Sequence, residues 1–409
     1  MHVLPGKEAT PGAPSPAGDQ RRTMRVPSIY ANGYEKARAM NPALAATYIA
    51  HMRIGDPAAD AVMVDLAGLK AAESSRLLRA AMEQKEDILR DAPRSLQDFV
   101  NEVATLPAWY DREAAFRGCR VFLENSDQFL MGFAGAAIVE GFSTTISRSF
   151  AITGRLIDDG VRRLKQNLRQ LLDMFLPRGI EPSGDGWKLT LRIRMVHARA
   201  RRLIRDSSEW DQDAWGLPIN AAHVSLGAVA FSARLLEFAT MLGAPLDDED
   251  RAGFMAVWSY AAHLMGVPEA LMFHSQAEGL RLFRVATACE PPPDYDAVAM
   301  AHCILNSAPV VIGVTEPKSR HAFAQYAFRV SRELVGDALA DQLRFPPRRS
   351  FLLLPWLRTR GRIARGIVRF FPRLAKARER RSFLHILGLT DLGESSFTYN
   401  LPDSVRSDE

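Results

Sequence analysis

The run Arg194-Met-Val-His-Ala-Arg-Ala-Arg201 places one histidine between two arginines, at spacings of three and four. A helix turns about 100° per residue, so Arg194, His197 and Arg201 fall on one side of it. Two nearby cations disfavour imidazolium, and neutral imidazole is the form that ligates a metal. Each arginine can hold a carboxylate in a charge-assisted pair. One neutral imidazole and two cationic forks suit a haem, with iron on His197 and propionates on Arg194 and Arg201. Ala198 and Ala200 are small enough to let a flat macrocycle approach. A surface or nucleic-acid-facing helix carries the same pattern, so the spacing alone does not choose between them.

The remaining chemistry-bearing residues are sparse. His263 sits on an apolar helix face, as a second metal ligand or a core histidine. His223 lies beside Asn220 at a helix start, where local hydrogen bonding suffices. His274, His302 and His321 have no carboxylate or histidine at ligand spacing, and no H-E-x-x-H or E-x-x-H di-iron pattern occurs. Phosphate-binding glycine loops and a G-x-S-x-G elbow are also missing. Cys119, Cys289 and Cys303 are far apart, which fits free thiols in a reducing compartment.

The elements that must carry these residues are helical. Apolar residues recur at three-to-four spacing at Leu66-Leu69-Ala72 and Leu77-Leu78-Met82, and again from Val121 to Phe133. Ser95 reads as an N-cap. The Pro/Gly segment Leu176–Trp187 separates a basic helix around Arg162–Met174 from the helix of His197, and a second loop spans Asp206–Pro218. A long helical pattern, Ala221–Leu242, ends at Gly243. The acidic run Asp247–Asp250 suits the start of the next helix. Ala297–Thr315 has no charged side chain, but His302, Asn306 and Pro309 favour a buried helix over a membrane span. The chain of 409 residues, 47% of them hydrophobic, is long enough for one large core. The fold class expected is all-α: a single large helical domain over 27–350 of globin-like haem-binding character. A disordered N-terminus (1–26), rich in Pro, Gly, Ala and Ser, precedes it and a basic amphipathic extension (351–409) follows. Arg21-Arg22 is followed by no apolar stretch, so the chain is expected in the cytoplasm.

Several segments resemble, in order, the rubber oxygenase and mycophenolate-pathway oxygenase family. The histidine motif Arg194–Arg201 is similar to the family's own. Gly216-Leu-Pro-Ile-Asn220 through Phe231-Ser232 resembles its G-x-P-I-N stretch, and Trp258 with His263-Leu-Met-Gly266-Val267 its W-x(4)-H-L-x-G-V segment. Pro107–Asp111, the Gly-rich helix Gly132–Gly141 and Thr153-Gly-Arg155 are also similar, so the likeness spans roughly 95–275. It implies a helical fold around haem b with His197 as proximal iron ligand. The activity implied is O2-dependent cleavage of a carbon–carbon double bond in a hydrophobic, isoprenoid or lipid-like substrate. The distal Arg-x-x-Lys-Thr of the family's rubber-cleaving members falls on Arg163, Gln166 and Asn167, which the resemblance thereby implies as the catalytic residues. Gln166 cannot supply the cationic amine, and no carboxylate stands near Ser147. These departures leave a non-catalytic haem sensor or carrier, or a membrane-surface scaffold that has lost haem, as alternatives.

The formal net charge of +5 is modest, and the surplus is local. From Arg358 to Arg381 there are nine Arg and one Lys against one Glu, or +9, interleaved with Ile363, Ile367, Val368, Phe370 and Phe371. That pattern over 351–381 suits peripheral contact with an anionic membrane surface at the inner face. Its aromatics group with aliphatics instead of lying spaced for base stacking, which disfavours nucleic acid.

Overall fold

The computed structural model describes residues 25–153, 160–347, 352–359 and 388. Its elements are helices, and no strand occurs among the described residues, in agreement with the all-α expectation. One cluster of buried apolar side chains extends from Tyr30 to Leu357. Most of the proposed disordered N-terminus, the basic run 360–381 and Arg155 lie outside the described residues. The start of the C-terminal extension is described: Leu357 is buried and Arg358 Nε donates to Met241 O at 2.6 Å.

Small residues set the closest helix crossings. Arg112–Glu124 and Asp248–Leu264 pack at Gly118 and Gly253, where a Cβ on Gly118 would stand 2.2 Å from Gly253 O. The helices Gly160–Phe175 and Asp185–Arg205 form an antiparallel hairpin. They are closest beside their loop, where a Cβ on Gly186 would lie 2.6 Å from Met174 Cα. Further from the loop they part.

Local details depart from the periodicity where side chains compete for backbone groups. Leu66–Met82 is two helices, Pro57–Ala67 and Ala71–Met82, with the Leu66 carbonyl accepting from both Leu69 N–H and Ser74 Oγ at the break. Ser95 is not a cap: the helix Arg94–Ala104 starts after Pro93, and the Ser95 hydroxyl goes to Asp65 Oδ2 at 2.6 Å. The acidic run forms a full capping box between Asp247 and Asp250. Tyr295–Val311 is a helix with a mostly buried apolar face, and it carries Pro309 in its last turn.

Two long helices are interrupted by π-helical turns, at Phe133–Ala137 and Ala230–Arg234. Each inserts an extra residue and so re-aims the side chains around it. A buried ion pair ties the two together, Arg234 Nη2 to Glu140 Oε1 at 2.6 Å and Nε to Oε2 at 2.9 Å. Ala221–Met241, which contains the second interruption, is apolar and long enough to cross a membrane, but 61% of its most apolar stretch is buried, as in a core helix.

Replacing Gly118 by Val forces the crossing open. The expected loss is about 1–3 kcal/mol, the range for overpacking a core, read from urea unfolding.

Candidate functional site

The gap between the two hairpin helices is a cavity of about 220 Å3. A single water needs only about 10–15 Å3, so the space is sized for a larger ligand. Ile193, Val196, His197 and Ala200 line it from one helix, and Arg162, Arg163, Gln166, Asn167 and Gln170 from the other. Phe142, Ile146, Ser149, Phe150 and Thr153 close one end, with Val224, Gly227, Ala228 and Phe231 forming a further wall. Phe231 belongs to the second π-helical turn and meets Phe133, from the first, edge-on at 5.1 Å.

Of the expected residues, the structure brings His197, Arg163, Gln166 and Asn167 to this one cavity. His197 Nδ1 is buried without a hydrogen-bond partner. Desolvation, then the charge on Arg201, push the imidazole down to about 4, against a smaller opposing pull from Asp56. The ring is therefore neutral at pH 7, able to offer a lone pair. Opposite, the Arg163 guanidinium lies over the Phe150 ring at 4.0 Å. Asn167 Nδ2 donates to Arg163 O at 2.9 Å, which leaves Oδ1 and the second N–H for other partners. No Asp or Glu lines the cavity among the described residues. Ser147 is fully buried and donates to Thr144 O.

Arg194 and Arg201 are placed differently. They were expected to hold two carboxylates of a ligand, and they hold two carboxylates of the protein. Arg194 makes a two-pronged pair with Asp56, at 2.6 and 2.9 Å. Arg201 pairs with Asp60 and also donates to Ile219 O at 2.9 and 3.0 Å. Neither lines the cavity. The reason lies in the helical wheel: the cavity face centres on Ile193 and Ala200, His197 stands at its edge, and both arginines lie roughly 40–60° further round.

Small residues leave one wall open. A Cβ on Gly227 would have nothing within 4 Å, although the residue is inside a helix. Ala200 and Ala228 also present little bulk, so a flat ligand can lie against this side.

Sequence reasoning missed the group behind His223, which also lines the cavity. Asn220 Oδ1 accepts the His223 backbone N–H at 2.9 Å and its Nδ2 donates to Leu217 O at 2.8 Å. That fixes the amide, so Nδ2 faces His223 Nδ1 at 3.3 Å. Nε2 points to Glu290 Oε1 at 3.2 Å, which also accepts from Tyr48 at 2.9 Å. Tyr30 Oη lies 3.2 Å from the same nitrogen. Burial, then the Glu290 charge, keep both phenols well above their ordinary range, and so protonated. Glu290 is 67 residues from His223, and no local signal links them. His263 is not in the cavity; it packs edge-on to Trp109 at 5.9 Å.

The helical fold and the histidine-lined cavity inside it define an all-α protein with an internal cavity, and comparison with known proteins narrows this. Residues 119–371, well over half of the chain, match the family described as ER-bound oxygenase mpaB/B'/Rubber oxygenase, catalytic domain. The chain belongs to that family. It is 25% identical over 188 residues to the rubber oxygenase of Streptomyces sp. (strain K30), a stretch covering 43% of this chain and 44% of that protein. The chain thus matches under half the length of this curated relative. The solved structure of latex clearing protein in its closed state has the same fold, with a TM-score of 0.61 at 17% identity, covering 86% of this chain and 95% of the other.

Acid sensitivity follows from the depressed His197. Between pH 6.5, the model-compound value, and about 4, the unfolded chain binds a proton that the folded chain refuses. The stability from this site is complete above pH 6.5 and is lost as the pH falls through that window. Urea unfolding of ligand-free protein across pH 4–7 should show a steeper acid loss than His197→Gln.

Proposed function

We propose that the protein is a haem b-dependent oxygenase that cleaves a carbon–carbon double bond in a hydrophobic, isoprenoid or lipid-like substrate, with O2 as co-substrate. The observation that carries this is His197: a neutral imidazole with a partnerless ring nitrogen at the edge of a largely apolar cavity, in a chain of an oxygenase family. The residues present fit haem. His197 would hold the iron, and the open backbone at Gly227 with Ala200 and Ala228 would accept the macrocycle's flat face. Haem bound there supplies iron for activating O2.

The protein's own part is positioning and exclusion of water. Phe142, Phe150, Phe231 and Ile146 give an apolar chain a dry surface. Arg163 and Asn167 supply donor and acceptor groups facing the His197 side, to orient oxygen or a polar group of the substrate. Gln166 is neutral where the rubber-cleaving members carry an amine, and among the described residues the cations on this wall are Arg162 and Arg163. One observation favours the second reading, a haem sensor or carrier: among the described residues no carboxylate lines the cavity to move a proton. Contact of the 351–381 segment with an anionic membrane belongs to the first reading, since it would bring the cavity to a lipid-dissolved substrate.

Protein supplied with haem and incubated with unsaturated isoprenoid lipids under O2 should yield carbonyl products with matching oxygen uptake. Reversible binding of O2 or CO without any product would establish the sensor reading instead.

Gly227→Ala separates the fold from the site. With nothing for the new methyl to strike, it should stabilise haem-free protein by about 0.5–1 kcal/mol, the usual gain over a helical glycine. The same methyl should weaken haem uptake severalfold. Thermal melts of the haem-free protein and haem titration measure the two effects.

A further inference from the structure

Both arginines beside His197 are almost completely buried, at 4% and 3% exposure, and each is paired with an aspartate of one short N-terminal segment, while half-exposed Glu102 stands at a longer 3.8 Å from Arg194 Nη2. Asp56 holds Arg194 through two oxygens, and Arg194 also donates to Leu264 O at 3.3 Å. Asp60 holds Arg201, and its other oxygen accepts the Asp56 backbone N–H at 3.2 Å, so the two carboxylates are fixed to each other. The segment is itself pinned: Leu217 N–H donates to Met52 O and Ala221 N–H to Ile54 O, each at 2.8 Å. A glycine makes room at each pair. A Cβ on Gly266, whose φ is +78°, would stand 2.5 Å from Asp56 Oδ2; one on Gly55 would stand 2.6 Å from Asp60 Oδ2. Residues 55–60 lie outside the 119–371 stretch that matches the family.

Two cations without counter-ions next to the proximal imidazole would disfavour the extra positive charge of ferric over ferrous iron. Two carboxylates fixed at the same places cancel that field. The buried guanidiniums and Asp56 are little screened, while Asp60, 36% exposed, is partly screened by solvent. Resting on the haem reading above, we propose that Asp56 and Asp60 are positioning residues that set the ferric–ferrous balance of iron held by His197, by neutralising Arg194 and Arg201. They touch neither substrate nor haem and act through the arginines.

The test uses full-length protein loaded with haem and reads the one-electron reduction potential, haem affinity and thermal stability. Asp60→Asn leaves the Arg201 charge uncompensated. It should favour ferrous iron on the order of tenfold, a rise of about 59 mV for one electron. Asp56→Asn should act in the same direction through Arg194, and Asn retains the N-cap that Asp56 provides to Ala59 N–H. The decisive variants are the doubles Asp60→Asn/Arg201→Gln and Asp56→Asn/Arg194→Gln, which remove both charges. Their potentials should return towards wild type while their thermal stability stays low. As a control, Asp341→Asn breaks the pair with buried Arg332, at 2.7 Å in another part of the fold, and should lower stability without moving the potential. Haem-binding wild type with unmoved potentials in both single variants overturns this proposal alone. Doubles that keep the shift of the singles also overturn it, since the effect is then one of packing. Wild type that takes up no haem overturns the oxygenase reading and this one together.

Discussion

The placement of His197 depends on keeping two buried guanidiniums beside it neutralised. A buried charge without a partner costs several kcal/mol. Docking of the segment Gly55–Asp60 on the His197 helix offsets that cost and lets the helix sit in the core. This docking joins the first helices of the chain to its middle, and the backbone pairing of Met52 and Ile54 with Leu217 and Ala221 reinforces it. With the arginines turned to the aspartates, the remaining face of the helix, Ile193, Val196, His197 and Ala200, is free to form a wall.

The cavity results from where helices are allowed to touch. Gly186 brings the hairpin helices together beside their loop, and Gly160 does the same where the first of them crosses Tyr295–Val311 at Cys303. Between these contacts the helices stand apart. The second π-helical turn carries Phe231 to the cavity wall, Phe133 from the first packs against it, and the Arg234–Glu140 pair holds the two helices together. Glu290 braces the cavity at His223 by collecting Tyr48, His223 and Thr145. The site is thus a set of rigid contacts around a space, with polar groups on the Arg163 side and an apolar, methyl-poor surface near Gly227.

Much of this was legible in the sequence. Helical periodicity gave the all-α class, and the Pro/Gly segment 176–187 gave the hairpin loop, because both are local signals. Arg163, Gln166, Asn167 and His197 were picked out by ordered motif resemblance, and they meet at one cavity. The roles of Arg194 and Arg201 were misjudged for a physical reason: a one-dimensional spacing shows which residues share a side of a helix, but not what packs there. Asp56 and Asp60 lie some 140 residues away and carry no pattern that announces them. The same holds for Glu290 behind His223. The π-helical turns are invisible to a 3.6-residue period, since they are interruptions of it.

The central claim is that His197 is the residue through which this cavity holds haem iron. The most direct measurement is the absorption spectrum of protein purified after expression with ample haem, compared with His197→Ala prepared in the same way. The account predicts a Soret band in the wild type that is lost or strongly altered in the variant. A wild type without that band, or a variant with an unchanged one, would contradict it.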